Sequence, residues 1–176
     1  LISETRNEKA VPILVEMLEG NHESLRFAAA KALSHMAIPS AGPALASAVR
    51  DDDPRVAMAA VAGLAELAKP DYADALGWAL LYGDEAAARS AAPGLGALGQ
   101  DGIKPLAEAL AVGRGQVRRE ATKALVGMQL PQADQALVAS MRTGHWRVRE
   151  SIIGAITSNR FVKAPLALLE LAAKDE

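Results

Sequence analysis

The sequence predicts an all-α solenoid of about five stacked helix pairs with one further helix at its end. The first observation behind this is a repeat. The stretches ILVEML, ALASAV, ALGWAL, PLAEAL and ALVASM place Leu14, Leu45, Leu76, Leu106 and Leu137 at separations of 31, 31, 30 and 31 residues, and a fixed period of this size marks a repeat architecture. A second apolar column lies four residues on, at Leu18, Val49, Leu80, Leu110 and Met141. A third follows the loop at Leu25, Val56, Ala87, Val117 and Val148, and a fourth comes eight residues later at Leu33, Leu64, Leu95, Leu125 and Ile156. Steps of four and eight are an apolar helix stripe, so each unit reads as two helices. The second observation is composition: 51% of residues are hydrophobic but only 3% aromatic. Burial therefore rests on Ala, Leu, Val and Ile, and Ala and Leu are the best helix formers. The third is punctuation. Asn21, Asp52, Gly83, Gly113 and Gly144 share one position after each first helix, where residues tolerant of left-handed backbone end helices.

The elements follow in order. The repeats fall near 10–36, 41–68, 72–99, 102–128 and 132–158 of a single domain. First helices are predicted at 10–19, 41–50, 72–82, 102–112 and 132–142. Second helices are predicted at 23–36, 54–68, 85–99, 115–128 and 146–158, with Ser24 and Pro54 where such helices start. An unpaired helix is expected over 161–174. Pro93 falls inside the third second-helix, where it removes a hydrogen bond to the Arg89 carbonyl and costs about 3 kcal/mol in a regular helix. With Gly94 and Gly96 beside it, a kink or break is predicted near 89–96. The opening LISETRNEKAVP reads as the tail of a preceding second helix, with Leu1 as its core leucine. The chain is thus expected to be an excerpt of a longer array, whose ends would need polar caps.

The stretches AVPILVEML…LRFAAAKAL, GIKPLAEAL…QVRREATKAL and RVRESIIGAI resemble HEAT repeats of the short kind named after phycobilin (PBS) lyases, across essentially the whole chain. The resemblance implies a right-handed superhelix with first helices on the convex side and second helices lining the concave side. It implies an interaction scaffold more than any one activity, because a fold hosts many functions. It also implies that Arg26, Arg118 and Arg149, each directly after a third-column residue, tie the turns together. Ala57 and Ala88 interrupt that ladder in repeats two and three.

Chemistry-bearing motifs are few. With no cysteine, thiol catalysis, disulfides and Cys-ligated zinc are excluded, and a reducing, cytoplasmic setting is expected. No apolar run approaches the roughly 20 residues of a membrane span. His22-Glu23 matches the His-Glu pairs with which the HEAT-type deoxyhypusine hydroxylases hold two irons, but the equivalent positions read Asp53-Pro54, Asp84-Glu85, Arg114-Gly115 and His145-Trp146. One pair cannot hold that centre, and His22 lies four repeats from His145, too far to share a metal. No metal and no cofactor are expected. GLGALG at 94–99 sits inside a predicted helix with no strand before it, unlike a dinucleotide loop. The triplet Asp51-Asp52-Asp53 is expected to end one helix and approach the positive start of the next.

Register suggests a binding face. Counting from the third column, positions two, five and six later are expected to point outward on the second helices. Position two reads Phe27, Met58, Arg89, Arg119 and Glu150; position five reads Ala30, Val61, Ala92, Thr122 and Ile153; position six reads Lys31, Ala62, Pro93, Lys123 and Gly154. Phe27, Met58 and Val61 would form an apolar end and Arg89, Arg119 and Lys123 a basic stretch, with Thr122, Glu150 and Ile153 also on the face. Such a groove suits an amphipathic helix or acidic peptide. The opposing reading packs Phe27 and Met58 between neighbouring second helices.

Charge adds a polarity. Residues 1–88 carry 7 Lys/Arg against 13 Asp/Glu, whereas residues 89–176 carry 12 against 8. His145, Trp146 and Arg147 form a ridge candidate at the edge of the basic region, with Trp146 expected to cover the apolar underside of its turn. The expected function is a non-catalytic protein-interaction scaffold taking a partner helix or peptide on its concave face. The alternatives are a phycobilin lyase-type subunit and nucleic-acid binding through the basic C-terminal repeats. A base-extruding alkylpurine DNA glycosylase of HEAT-like build would need aromatic residues in a basic groove, and few are available here.

Overall fold

The computed structural model describes residues 2–158, with side chains from residue 8 to 157 apart from Thr143. Leu1 and the helix expected over 161–174 lie outside the described residues. The described residues form ten α-helices in five pairs: α1 (Ile2–Leu18) with α2 (Glu23–Met36), α3 (Gly42–Ala48) with α4 (Pro54–Leu67), α5 (Ala73–Tyr82) with α6 (Glu85–Ala97), α7 (Gln100–Val112) with α8 (Gly115–Met128), and α9 (Pro131–Thr143) with α10 (Trp146–Ser158). Two 3-10 turns, Pro39–Ala41 and Pro70–Tyr72, lead into α3 and α5. Each starts on a proline, whose fixed φ suits a first helical turn. No described helix is long and apolar enough to cross a membrane.

The four apolar columns form the core. Leu45, Leu76, Leu106 and Leu137 are fully buried, as are Leu33, Leu64, Leu95 and Leu125, with Val49, Leu80, Leu110, Met141, Val56, Val117 and Val148 completing the interior. The exceptions lie in the terminal pairs: Leu14 and Ile156 are half-buried and Leu25 is 44% exposed, because no further helix pair covers them among the described residues. Consecutive second helices pack in series, α2 on α4, α4 on α6, α6 on α8 and α8 on α10, more closely than consecutive first helices do. The second helices therefore occupy the inside of the curve.

Close approach of the second helices depends on a column of small residues, Ala32, Gly63, Gly94, Ala124 and Ala155. A Cβ on Gly94 would come 2.7 Å from the Ala65 Cβ, and one on Gly63 would come 2.9 Å from the Ser34 Cα. Gly94 is thus the contact residue between α4 and α6. Helix α6 runs through Pro93 without the predicted break. Pro93 is exposed on the inner surface, as helix α6 turns Gly94 and Leu95 to its neighbours.

The turn residues play a different role from the one expected. Gly83, Gly113 and Gly144 have φ of −69°, −64° and −73°, in extended rather than left-handed backbone. Each donates its N–H to the carbonyl four residues back. A Cβ on Gly144 would fall on the Ser140 carbonyl oxygen and 3.0 Å from the Val148 side chain, so glycine is required there for space. Left-handed backbone instead ends three of the second helices, at Ala37, Ala68 and Gln129, with Gly99 also at positive φ. The second helices start where expected: α2 begins at Glu23 after His22, which makes no side-chain cap, and Pro54 is the first residue of α4.

Candidate functional site

The inner face is set by the rotation of the second helices. Helices α4, α6 and α8 each pack against the second helices on both sides, and α4, α6, α8 and α10 against their own first helices, which buries a wide arc of their surface. Position five lies inside that arc. Val61 and Thr122 are fully buried, together with Ala30 and Ala92, while Ile153 is half-buried. This corrects the expectation that they point outward. The Thr122 hydroxyl donates to the Arg118 carbonyl at 2.7 Å, which satisfies it inside the helix stack. Positions two and six do line the inner face: Met58, Arg89, Arg119 and Glu150 are exposed, as are Lys31, Ala62, Pro93, Lys123 and Gly154.

The apolar end is smaller than the sequence suggests. Phe27 is half-buried against the core, and the Arg55 guanidinium of the next repeat lies 5.2 Å over its ring. Arg55 is held there by Asp53, with its Nη2 at 2.7 Å from Oδ2, and by Glu23 at 2.9 Å. Phe27 is packed between second helices, and Met58, 41% exposed, is the large apolar side chain left on this end.

The same carboxylate closes the helix start. Asp53 Oδ1 accepts the Arg55 N–H at 2.9 Å, capping α4, and Asp51 accepts the Asp53 N–H. Asp51 also receives Arg26 through both oxygens, at 2.8 and 3.0 Å. The acidic triplet is therefore the junction between repeats one and two. Hydrogen bonds from the Arg55 side chain hold the Asp53 carboxyl at about 2, below its ordinary 3.8. Arg118 and Arg149 serve their turns through the Gly113 and Gly144 carbonyls, at 2.8 and 3.2 Å. All three ladder arginines thus bind turn groups.

The basic stretch opens as two clefts between second helices. The cleft between α8 and α10, about 520 Å³, is lined by Arg118, Arg119, Lys123 and Arg147 with Glu150, Ser151, Gly115, Gly154 and Ala155. The cleft between α6 and α8, about 360 Å³, has Pro93, Gly96, Ala124, Gly127 and Met128 as its apolar part and Arg89, Glu120 and Lys123 as its charged part. Lys123 belongs to both. Arg89 pairs with Glu85 at 2.6 Å and Lys123 with Glu120 at 3.3 Å. Arg119 is hydrogen-bonded to Gln116. Among the described residues, Arg118, Arg119 and Arg147 have no carboxylate partner.

Of the ridge residues, Trp146 is 53% exposed and does not cover the underside of its turn. The Arg147 guanidinium lies 5.2 Å over its ring and the His145 ring lies 5.5 Å away. Trp146 lines a further hollow with Arg149, Glu150, Ile153 and Gly154. Arg147, read from the sequence as ridge, thus joins the inner cleft. Arg147 lies in the first turn of α10, one residue before the buried Val148, which brings it to the cleft. Among the described residues no three His, Asp or Glu groups are placed to hold a metal.

Helix pairs stacked in register, with their second helices inside, define an α-solenoid scaffold. The profile for HEAT repeats matches residues 1–65 and 42–125, and the chain belongs to the HEAT-repeat family. Its fold is similar to that of the complex of CpcE and CpcF of phycocyanin lyase from Nostoc sp. PCC7120, at 24% identity and a TM-score of 0.56, over 98% of this chain and 76% of that one. It is also similar to a designed armadillo repeat protein at 17% identity and a TM-score of 0.56, over 94% and 89% of the two chains. An engineered protein matches at 17% identity and a TM-score of 0.53, over 93% and 94%. Comparison with curated protein sequences gives no match.

Proposed function

We propose that the chain is a non-catalytic protein-interaction scaffold that takes a partner helix or peptide on the inner face of its second helices. The observation that carries this reading is the continuous row of outward side chains, from Met58 through Arg89 and Arg119 to Lys123 and Glu150, that no described element covers. Clefts lie between the helices along the basic part of that row. An array of parallel helices offers a segment crossing it one step of about 8–10 Å per repeat. An elongated partner can therefore engage several repeats, each contributing a modest contact.

A double variant, Ala62→Trp with Gly154→Trp, tests this. Ala62 is exposed on α4 beside Met58, and Gly154 is exposed on α10 in the cleft with α8, where a Cβ would meet nothing within 4 Å, so the indoles would stand at both ends of the groove without entering the core. Peptides selected from a random library for binding the chain should bind the variant at least tenfold more weakly, with its helical circular dichroism unchanged. Undiminished binding by every selected peptide would place the interaction surface elsewhere. A bilin lyase-type subunit is the second reading, drawn from the family resemblance and the lyase named in the similar structure. It is distinguished by a change in bilin absorbance when the chain is mixed with a linear tetrapyrrole.

A further inference from the structure

We infer that the segment taken by this inner face is acidic, with its carboxylates entering the cleft between α8 and α10. The inference rests on the reading of the second helices as the binding face. The cleft gathers four cations, Arg118, Arg119, Lys123 and Arg147, around one carboxylate, Glu150. Lys123 is shared with Glu120, but Arg118, Arg119 and Arg147 have no described carboxylate partner. Arg118 gives one N–H to the Gly113 carbonyl and keeps its Nε buried without an acceptor. Arg147 stacks on Trp146, which leaves the guanidinium edge free to donate. Cations held so close together repel each other, and an incoming carboxylate relieves that repulsion while accepting charge-assisted hydrogen bonds.

The neighbouring cleft extends the site. It shares Lys123, adds Arg89 and offers Pro93, Ala124 and Met128 as apolar surface. Two clefts in line call for an elongated ligand rather than a small anion. Adjacent second helices stand about 8–10 Å apart, and three residues of polyproline II chain rise about 9 Å. Carboxylates at every third position of an extended peptide therefore match successive clefts. A nucleic-acid strand fits less well. It carries a charge on every nucleotide, whereas Glu23, Glu85, Glu120 and Glu150 are spread along the same row of helices, and neither cleft contains an aromatic side chain for base stacking.

The test is fluorescence anisotropy with the whole chain and a fluorescein-labelled peptide bearing glutamates at every third position of a proline-rich frame. The same frame with glutamines and a single-stranded DNA of equal charge complete the set. The glutamate peptide should bind at least tenfold more tightly than the glutamine peptide. Arg119→Ala and Arg147→Ala, both at exposed positions, should each weaken it about tenfold with helicity retained, and rising salt should weaken it further. No saturable binding up to about 1 mM, equal binding of the glutamine peptide, or indifference to both substitutions would each overturn the inference. Tighter binding of the DNA would overturn it in favour of a nucleic-acid face. Should the glutamine peptide bind equally and lose binding in the Ala62→Trp, Gly154→Trp double variant, the inner groove stands and only its acidic occupant fails.

Discussion

At the scale of single residues, Asp53 does several jobs. It caps α4, holds Arg55 over Phe27 and joins repeats one and two. Its carboxyl titrates at about 2 in the fold against 3.8 ordinarily. A folded value lowered in this way stabilises the protein above the unfolded value, and that contribution is lost as pH falls from about 4 to about 2. Asp53→Asn keeps an oxygen for the cap but removes the charge, so its urea midpoint should fall less steeply over that interval than that of the wild type. A parallel fall would show that Asp53 is not the group responsible. The turn glycines show where sequence reasoning identified the right residues for the wrong reason. Their position in the repeat was legible, but whether glycine supplies freedom or space depends on where the helix-end carbonyl and the third-column side chain lie. At Gly113 and Gly144 both crowd the absent Cβ.

At the scale of elements, the second helices were legible almost to the residue, because their apolar steps repeat from unit to unit and Pro54 marks the start of α4. The third was expected to break at Pro93, yet α6 is continuous. Packing against α4 and α8 on either side, through Gly94 and Leu95, outweighs the lost hydrogen bond. Pro93→Ala should therefore restore that bond without disturbing a buried contact, and raise stability by about 1–3 kcal/mol in chemical unfolding. A loss of stability would mean that the proline sets a bend on which the stack depends. The outward register was legible only in part. Positions two and six face the inside of the curve, but position five does not, because a helix flanked on three sides buries a wider arc than a helix lying on one surface. That burial of Val61 and Thr122, with Arg55 covering Phe27, moves the candidate face away from its expected apolar end and toward the arginines of α8 and α10.

At the scale of the whole molecule, the described chain is a stack in which each helix pair contacts its neighbours. The change from an acidic first half to a basic second half was visible in the composition. That it gathers in one cleft could be seen only after stacking brought Arg147 beside Arg119 and Lys123. The central claim is that partners sit on the inner row of second helices. Amide chemical-shift mapping of the labelled chain during titration with the glutamate peptide tests it most directly. Perturbations should concentrate at Arg89, Arg119, Lys123, Arg147 and Glu150, with α5, α7 and α9 little changed. Perturbations confined to those first helices would contradict it.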